Sequence, residues 1–201
     1  MTTDDPTRRC PWPGISDPEY TRYHDEEWGV PVDDDRRLFE KLILEGFQSG
    51  LSWLTILKKR PAFRSAFDNF DATRIARYDD ADVARLMSDT GIVRNRAKIE
   101  ATITNARAFL DLSSQTRLAH LVWGLVDGKP IIHERRDFSE VPAQTDLSRN
   151  LSKQLKAHGF RFVGPTTAYA FLQSVGVVND HIITCHRHAP CADLQRAFRI
   201  D

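Results

Sequence analysis

Residues 38–60 read LFEKLILEGFQSGLSWLTILKKR, and the first half of this stretch has the pattern of a helix that packs against a core. Apolar side chains recur at i, i+1, i+4 and i+5, which places them on one face of a helix beginning near Asp35. These side chains are Leu38, Phe39, Leu42 and Ile43. Glu45 comes three residues after Leu42 and seven after Leu38, so it lies on the same side of the helix, at the edge of the apolar stripe. A core helix has little use for a carboxylate there, so Glu45 is a candidate functional residue.

A turn and a second helix follow. Gly46 and Gly50 predict that the first helix ends near them, because glycine often follows the last helical residue and lets backbones approach closely. Ser52 is a suitable N-cap for the next helix, which Trp53 begins. The carboxylate of Glu45 and the indole of Trp53 then form a wall for a flat, polar ligand. The alternative is that Glu45 extends from the edge of the core and Trp53 fills it.

The chain has 201 residues, and this length predicts a single compact domain over 1–201, with flexible ends at 1–9 and 192–201. It carries 28 basic and 28 acidic residues, so a protein that binds polyanions through its overall charge is disfavoured, although a local basic patch stays open. The charged, proline-rich N-terminus is unlike a signal peptide, and no apolar run approaches the ~18 residues of a membrane span. We expect a cytoplasmic monomer that does not contact a membrane.

Helical periodicity recurs throughout, with eight or more short helices and no convincing alternation of strands, so the predicted class is all-α. Near the middle, DTGIVRNR connects a helix that stops at Thr90-Gly91 to one that begins near Asn95. A glycine-centred turn before a helix presents backbone amides, here beside Arg94, Arg96 and Lys98, and can hold a phosphate without reading base sequence. The alternative is an ordinary turn between two helices with exposed arginines.

Cysteine and histidine lie at both ends of the chain. One pair is Cys10 and His24, and the other is His181 and Cys185, whose His-x₃-Cys spacing places both side chains on one face of a helical turn. A Cys₂His₂ set suits a tetrahedral structural zinc that joins the two ends. Two alternatives remain. His186, His188 and Cys191 can form a local site instead, or the cysteines are buried without a metal.

Five sequence blocks together resemble the bacterial DNA-3-methyladenine glycosylase I family in order, spacing and residue type, from about Arg9 to Cys185. The blocks are CPW, YHDEEWG, LILEGFQSGLSW, GIVRNRAKI and NDHIITC. The resemblance implies an all-α, helix-hairpin-helix DNA glycosylase-like bundle. It also implies a structural Zn²⁺ that joins the N- and C-terminal segments, with ligands at Cys10, His24, His181 and Cys185.

The resemblance also implies roles for the other candidate residues. Glu45 corresponds to the carboxylate that recognises the base and is the predicted catalytic residue, and Trp53 corresponds to the stacking tryptophan. The further aromatic residues of the base pocket correspond to Trp12, Tyr20 and Tyr23. The DNA-anchoring hairpin corresponds to Gly91, Ile92, Arg94, Arg96 and Lys98.

The implied activity is DNA repair: hydrolysis of the N-glycosidic bond of 3-methyladenine in alkylated double-stranded DNA, by base flipping, with free 3-methyladenine as the product. No lysine stands in a recognisable nucleophile position, and the catalytic Asp usual in the wider superfamily has no evident counterpart, so a lyase step is not implied. Two rival interpretations stay open. A zinc hydrolase needs an open coordination position, which four protein ligands deny. A non-enzymatic, zinc-stabilised helical DNA-binding module has no need for Glu45 facing Trp53.

Overall fold

The computed structural model describes residues 8–200, and most of this part of the chain is helical. Its α-helices are α1 (Pro18–Glu26), α2 (Asp35–Gln48), α3 (Trp53–Ala66), α4 (Ala72–Ile75), α5 (Asp80–Ser88), α6 (Arg96–Ser113), α7 (Leu118–Gly124), α8 (Asp146–Ala157), α9 (Pro165–Ser174) and α10 (His188–Ala197). Two 3-10 helices cover Asp68–Phe70 and Phe138–Glu140. The strands β1 (Ile131–Ile132) and β2 (Val178–Asn179) form a short parallel pair, with Ile131 opposite Val178. The helical class is confirmed, with this one strand pair as an addition.

Helix α2 lies at the centre and contacts α3, α6, α7 and α9. Its capping residue is Asp34, which accepts a hydrogen bond from the amide of Arg37 at 2.8 Å, so the helix begins where the sequence predicts. Leu38, Phe39, Leu42 and Ile43, the predicted apolar stripe, are all buried. The α2 face therefore supplies much of the core on which the other helices pack.

The end of α2 differs from the prediction. Gly46 lies inside the helix, which continues to Gln48, and the turn occupies residues 49–52. A β-carbon at Gly46 would lie 3.4 Å from that of Phe162, so a glycine here allows the segment after α8 to pack closely against α2. Gly50 has φ +83° and forms the turn itself. Ser52 then caps α3 as predicted, accepting from the amide of Thr55 at 3.2 Å.

The C-terminal segment packs against the rest of the protein. The prediction of flexible ends covers 1–9 and 192–201, of which 1–7 and 201 lie outside the described residues. At residues 192–197 the structure has the end of α10 instead of a loose tail. The buried amide of Gln195 donates to the carbonyls of Gly29 and Gly176 at 3.0 and 2.9 Å. At the other end, Arg9 makes a two-pronged ion pair with Asp25.

None of the helices in the described chain combines the length and apolar character that crossing a membrane requires.

Candidate active site

A cavity of about 210 Å³ opens between α1, the α2–α3 turn and α9. Its walls are formed by Trp12, Pro13, Tyr20, Tyr23, Trp28, Glu45, Gln48, Trp53, Phe138, Ala170 and Gln173. All five residues predicted for the pocket line it, namely Glu45, Trp53, Trp12, Tyr20 and Tyr23. Sequence reasoning did not identify the wall residues Phe138, Ala170 and Gln173, because they come from distant segments that carry no local signal.

The aromatic rings of the pocket support one another. Trp12 lies 5.0 Å from Tyr20 and 4.7 Å from Trp28, the latter edge to face, and Tyr23 lies 5.4 Å from Trp53 between ring centroids. The indole nitrogens of Trp12 and Trp53 are buried and find no hydrogen-bond partner within residues 8–200. A buried donor without a partner costs roughly 1–3 kcal/mol, so an acceptor atom on a bound molecule would be favoured here.

Glu45 lies at the end of α2 with only 4% of its surface exposed. Burial raises the pKa of Glu45 to about 8, although the positive charge of Lys41 opposes the shift. Burial, followed by the nearby Glu45 carboxylate, raises the pKa of Tyr20 to about 12 and that of Tyr23 well above its usual value. Both phenols therefore keep their protons, whereas Glu45 can change its charge within the physiological range.

A second buried carboxylate fixes one wall of the pocket. Asp180 accepts hydrogen bonds at 2.5–2.8 Å from His133, Arg135, Tyr169 and Gln173. Burial alone raises the pKa of Asp180, but these hydrogen bonds hold it well below its usual range. Because the side-chain amide of Gln173 donates to Asp180, its orientation in the pocket wall is set.

Cys10, His24, His181 and Cys185 form a buried cluster that could hold a metal ion, with their ligand atoms within 4.8 Å of one another. Nδ1 of His181 lies 3.7 and 3.5 Å from the two sulfurs, and Nε2 of His24 lies 3.6 Å from the sulfur of Cys185. Metal–ligand bonds of about 2.0 and 2.3 Å at tetrahedral angles place nitrogen and sulfur about 3.5 Å apart, so the spacing fits.

The other ring nitrogens of the two histidines are also paired. Nδ1 of His24 donates to Asp25 at 2.7 Å, and Nε2 of His181 donates to the carbonyl of Trp28 at 3.1 Å. These bonds fix the tautomers that leave a lone pair facing the sulfurs. Burial lowers the pKa of His181, which keeps its ring neutral, as ligation requires.

The two cysteines cannot both lose their protons easily without a cation. Their mutual hydrogen bond raises the pKa of Cys10 and lowers that of Cys185. A bound dication would remove this conflict. His186, His188 and Cys191 do not form a second cluster in the described chain. His186 and His188 instead donate to the carbonyls of Arg8 and His133.

Helix α5, the turn at 89–95 and α6 form the predicted helix–turn–helix segment. Asn95 caps α6, and the exposed Arg94 and Arg96 lie beside the cap. Gly91 packs tightly, since a β-carbon there would lie 2.9 Å from that of Ala62, and Ile92 is buried. The backbone amides of Val93 and Arg94 make no hydrogen bond to another of the residues 8–200.

Lys98 does not lie where the sequence predicts. It is buried, and its ammonium donates to the carbonyls of Phe47 and Ser49 at 2.8 and 2.7 Å, at the end of α2. Lys98 is on the inward face of the first turn of α6, whereas Arg94 and Arg96 point to solvent. It therefore caps a neighbouring helix and does not belong to the exposed surface of the turn.

A larger cavity, of about 480 Å³, lies between the segment 127–132 and the C-terminal residues 195–200. Its walls include one aromatic ring, that of Phe198, and one carboxylate, that of the exposed Asp127. The smaller cavity combines a buried carboxylate with several aromatic rings, so we assign the candidate active site to it.

Comparison with known proteins identifies the family of this chain. Residues 12–188 match the family described as methyladenine glycosylase, and the chain belongs to that family. It is 46% identical over 186 residues to the DNA-3-methyladenine glycosylase of Haemophilus influenzae, covering 92% of this chain and 98% of that protein.

Two solved structures are also similar. A 3-methyladenine DNA glycosylase I superposes with a TM-score of 0.88 at 49% identity, over 90% of this chain and all of that one. A tyrosine-to-phenylalanine variant of a 3-methyladenine DNA glycosylase I in complex with 3-methyladenine superposes with a TM-score of 0.83 at 38% identity, over 86% and 93% of the two chains.

The raised pKa of Glu45 predicts a pH-dependent cost to stability. Between its usual value of 4.5 and about 8, the folded protein binds a proton that the unfolded chain does not, so stability is fully present below about pH 4.5 and is lost as the pH rises to about 8. Glu45→Gln lacks this ionisation. The free energy of unfolding of the variant should exceed that of the parent by about 2–4 kcal/mol at pH 8 and by little at pH 4.

Denaturant unfolding across this pH range measures the difference, with Glu134→Gln, at an exposed glutamate, as the matched control. A constant difference between Glu45→Gln and the parent at every pH would show that Glu45 is not buried in its neutral form.

Proposed function

We propose that this protein is a DNA repair enzyme that hydrolyses the N-glycosidic bond of 3-methyladenine in alkylated double-stranded DNA and releases the free base. The Haemophilus influenzae relative has this activity in its name, and a structural relative is in complex with 3-methyladenine. The observation that carries the proposal for this chain is the meeting of the buried Glu45 carboxylate with the rings of Trp53, Tyr23 and Trp12 in one cavity. That combination suits a flat base that carries positive charge.

The chemistry needs little acid catalysis, because 3-methylated adenine in DNA is cationic and already a good leaving group. The enzyme must turn the nucleotide out of the duplex and distinguish a cationic purine from a neutral one. Trp53 offers a π-face whose attraction for a cation is about 0.5–2 kcal/mol. Glu45 offers a charge-assisted hydrogen bond to the base, roughly twice as strong as a neutral one. Water then attacks the sugar.

The absence of a lyase step is part of the proposal. None of the described residues that line the cavity is a lysine, so no amine is placed to attack the sugar carbon. A non-enzymatic DNA-binding module remains the alternative function. It would leave unexplained why a buried carboxylate shares a cavity with a tryptophan, since burying a carboxylate costs stability.

We infer that the turn before α6 anchors the DNA backbone. The amides of Val93 and Arg94 are available to a phosphate, and the guanidinium groups of Arg94 and Arg96 are exposed beside them. Arg96 also pairs with Glu100 at 3.3 Å, an exposed contact that a phosphate can replace at little cost. Gly91 and Ile92 hold the turn on the core. These contacts position the duplex and carry no sequence information.

We propose that the metal at Cys10, His24, His181 and Cys185 is a structural zinc. The donor set and the ring tautomers fit zinc. When bound, the ion supplies a cross-link between the N-terminal arm and the segment before α10. Four protein ligands leave no open position for substrate, which disfavours a zinc hydrolase.

The function predicts release of 3-methyladenine from alkylated duplex DNA by the parent protein. Glu45→Gln keeps the shape of the side chain but removes its charge, so it should weaken binding of free 3-methyladenine by about 1.5–3 kcal/mol. Trp53→Ala should also weaken binding, through lost stacking.

Base release is measured by chromatography and affinity by titration of the free base. A folded parent that releases no base would reject the function, and equal affinities for parent and Glu45→Gln would reject the role of Glu45.

The turn predicts DNA affinity that depends on phosphate contacts. Arg94→Ala and Arg96→Ala should each lower affinity evenly across base sequences and reduce the salt dependence by about one unit per lost contact. Binding measured against salt concentration tests this, with Arg149→Ala, at an exposed arginine of α8, as the control. A loss of affinity confined to particular sequences would contradict backbone anchoring.

The zinc assignment predicts one tightly bound zinc per chain. Cys10→Ala and Cys185→Ala should lose the metal and several kcal/mol of stability, because binding free energy is folding free energy at a structural site. Cys191→Ala changes a buried cysteine outside the cluster and should keep the metal. Metal analysis and unfolding of the three variants provide the readout. Purified parent protein without stoichiometric zinc would refute the assignment.

A further inference from the structure

Lys41 lies in α2 with only 9% of its surface exposed, and the structure so far gives it no function. A buried lysine without a partner is rare, because removing an ammonium from water is costly. Within residues 8–200 its ammonium makes neither a hydrogen bond nor a close ion pair. It lies over the ring of Tyr23 instead, 5.5 Å from the centroid, and Tyr23 is a wall of the active-site cavity.

Lys41 precedes Glu45 by four residues, so the two side chains leave α2 on the same face, one turn apart. Lys41 lies over the ring of Tyr23, Glu45 lines the cavity together with Tyr23, and each of the two charged groups acts electrostatically on the other. The charged groups that act on Lys41 are Glu27 after α1, Arg37 and Glu45 of α2, and Arg60 of α3. The positive charge of Lys41 lowers the pKa of Glu45. The Glu45 carboxylate in turn raises the pKa of Tyr20 and that of Tyr23.

Four of these charges form two pairs, and the fifth, that of Arg37, is exposed. Arg60 donates both of its terminal nitrogens to Glu27, at 2.6 and 2.8 Å, so their charges largely cancel. Lys41 and Glu45 are then the remaining cation and anion of the buried region. Burial lowers the pKa of Lys41 to about 8, although Glu27 and Glu45 oppose the shift, and burial raises the pKa of Glu45 to about 8 against the effect of Lys41. Each group favours the charged form of the other.

We propose that Lys41 is a positioning residue for recognition of the cationic base: its ammonium, held over Tyr23 one turn before Glu45, favours ionisation of the Glu45 carboxylate and fixes the Tyr23 ring. Glu45 can then meet a cationic base as an anion at a lower pH than burial alone would allow. This inference rests on the proposed function, because it assigns Lys41 to the same pocket and the same ligand.

The direct test is the titration of Glu45 in the free protein. Lys41→Met keeps the length of the side chain and removes the charge, so the Glu45 carboxyl, followed by carbon-13 NMR, should titrate about one pH unit or more higher than in the parent. Lys41→Arg restores the charge and should return the midpoint towards that of the parent. Lys153→Met, at an exposed lysine of α8, is the matched control and should not move it.

A second measurement connects this effect to the ligand. The affinity for free 3-methyladenine is measured against pH in the parent, Lys41→Met, Glu45→Gln and the double variant. The base's own titration is common to all four proteins. Lys41→Met should therefore raise the pH midpoint of binding when residue 45 is Glu and leave it unchanged when residue 45 is Gln. An equal shift in both backgrounds would overturn the inference, because Lys41 would then act without Glu45.

Failure of the inference and failure of the proposed function give different results. A parent that releases 3-methyladenine but whose Glu45 midpoint is the same in Lys41→Met overturns the role of Lys41 alone. A parent that releases no base overturns the function, whatever the NMR titration shows. Circular dichroism checks the fold of each variant, and Lys41→Gln, which is uncharged and polar, replaces Lys41→Met if the latter does not fold.

Discussion

The end of α2 is held by one buried ammonium, and the rest of the site depends on it. Lys98, in the first turn of α6, donates to the carbonyls of Phe47 and Ser49, which the helix itself leaves without partners. A cation at a helix C-terminus is also favoured by the helix dipole. The contact joins two places that are distant in sequence. Glu45 lies just before the capped carbonyls, and the exposed Arg94 and Arg96 lie just before Lys98. The geometry of the pocket relative to the turn is thereby fixed.

Several groups in and around the pocket lower the stability of the folded protein. Glu45 and Lys41 are buried ionisable residues, and the indole nitrogens of Trp12 and Trp53 have no partners within residues 8–200. Each feature costs free energy that the aromatic and aliphatic core around α2 must offset. A site optimised for stability alone would replace them with apolar side chains. Glu45 and the two indoles line one cavity, and Lys41 lies over the ring of Tyr23 in its wall. This combination is the physical reason to regard that cavity as functional.

Local signals in the sequence predicted the local features of the structure. The apolar stripe of α2, the cap at Ser52 and the start of α6 at Asn95 depend on residues close in the chain, and the structure has them where they were expected. Lys98 was placed wrongly because its direction depends on how α6 is rotated against α2, which no local pattern records. The walls at Phe138 and Gln173 depend on long-range packing in the same way. The ligand set and the roles of the pocket residues came from family resemblance, since spacing alone left alternatives open.

The N-terminal arm connects the Cys/His cluster to the pocket. Trp12 follows Cys10 by two residues, and its amide donates to the carbonyl of Cys10 at 2.8 Å. Its ring lies edge to face with that of His24, 4.8 Å between centroids. Its other ring contacts are with residues of the pocket wall, namely Tyr20, Tyr23, Trp28 and Phe138. Residues 8–17 of the proline-rich arm form no helix or strand, so their position depends on contacts such as those of Cys10, Trp12 and the Arg9–Asp25 pair. An ion at the cluster would take no part in bond cleavage. It would nevertheless hold Trp12, one wall of the base pocket, in place.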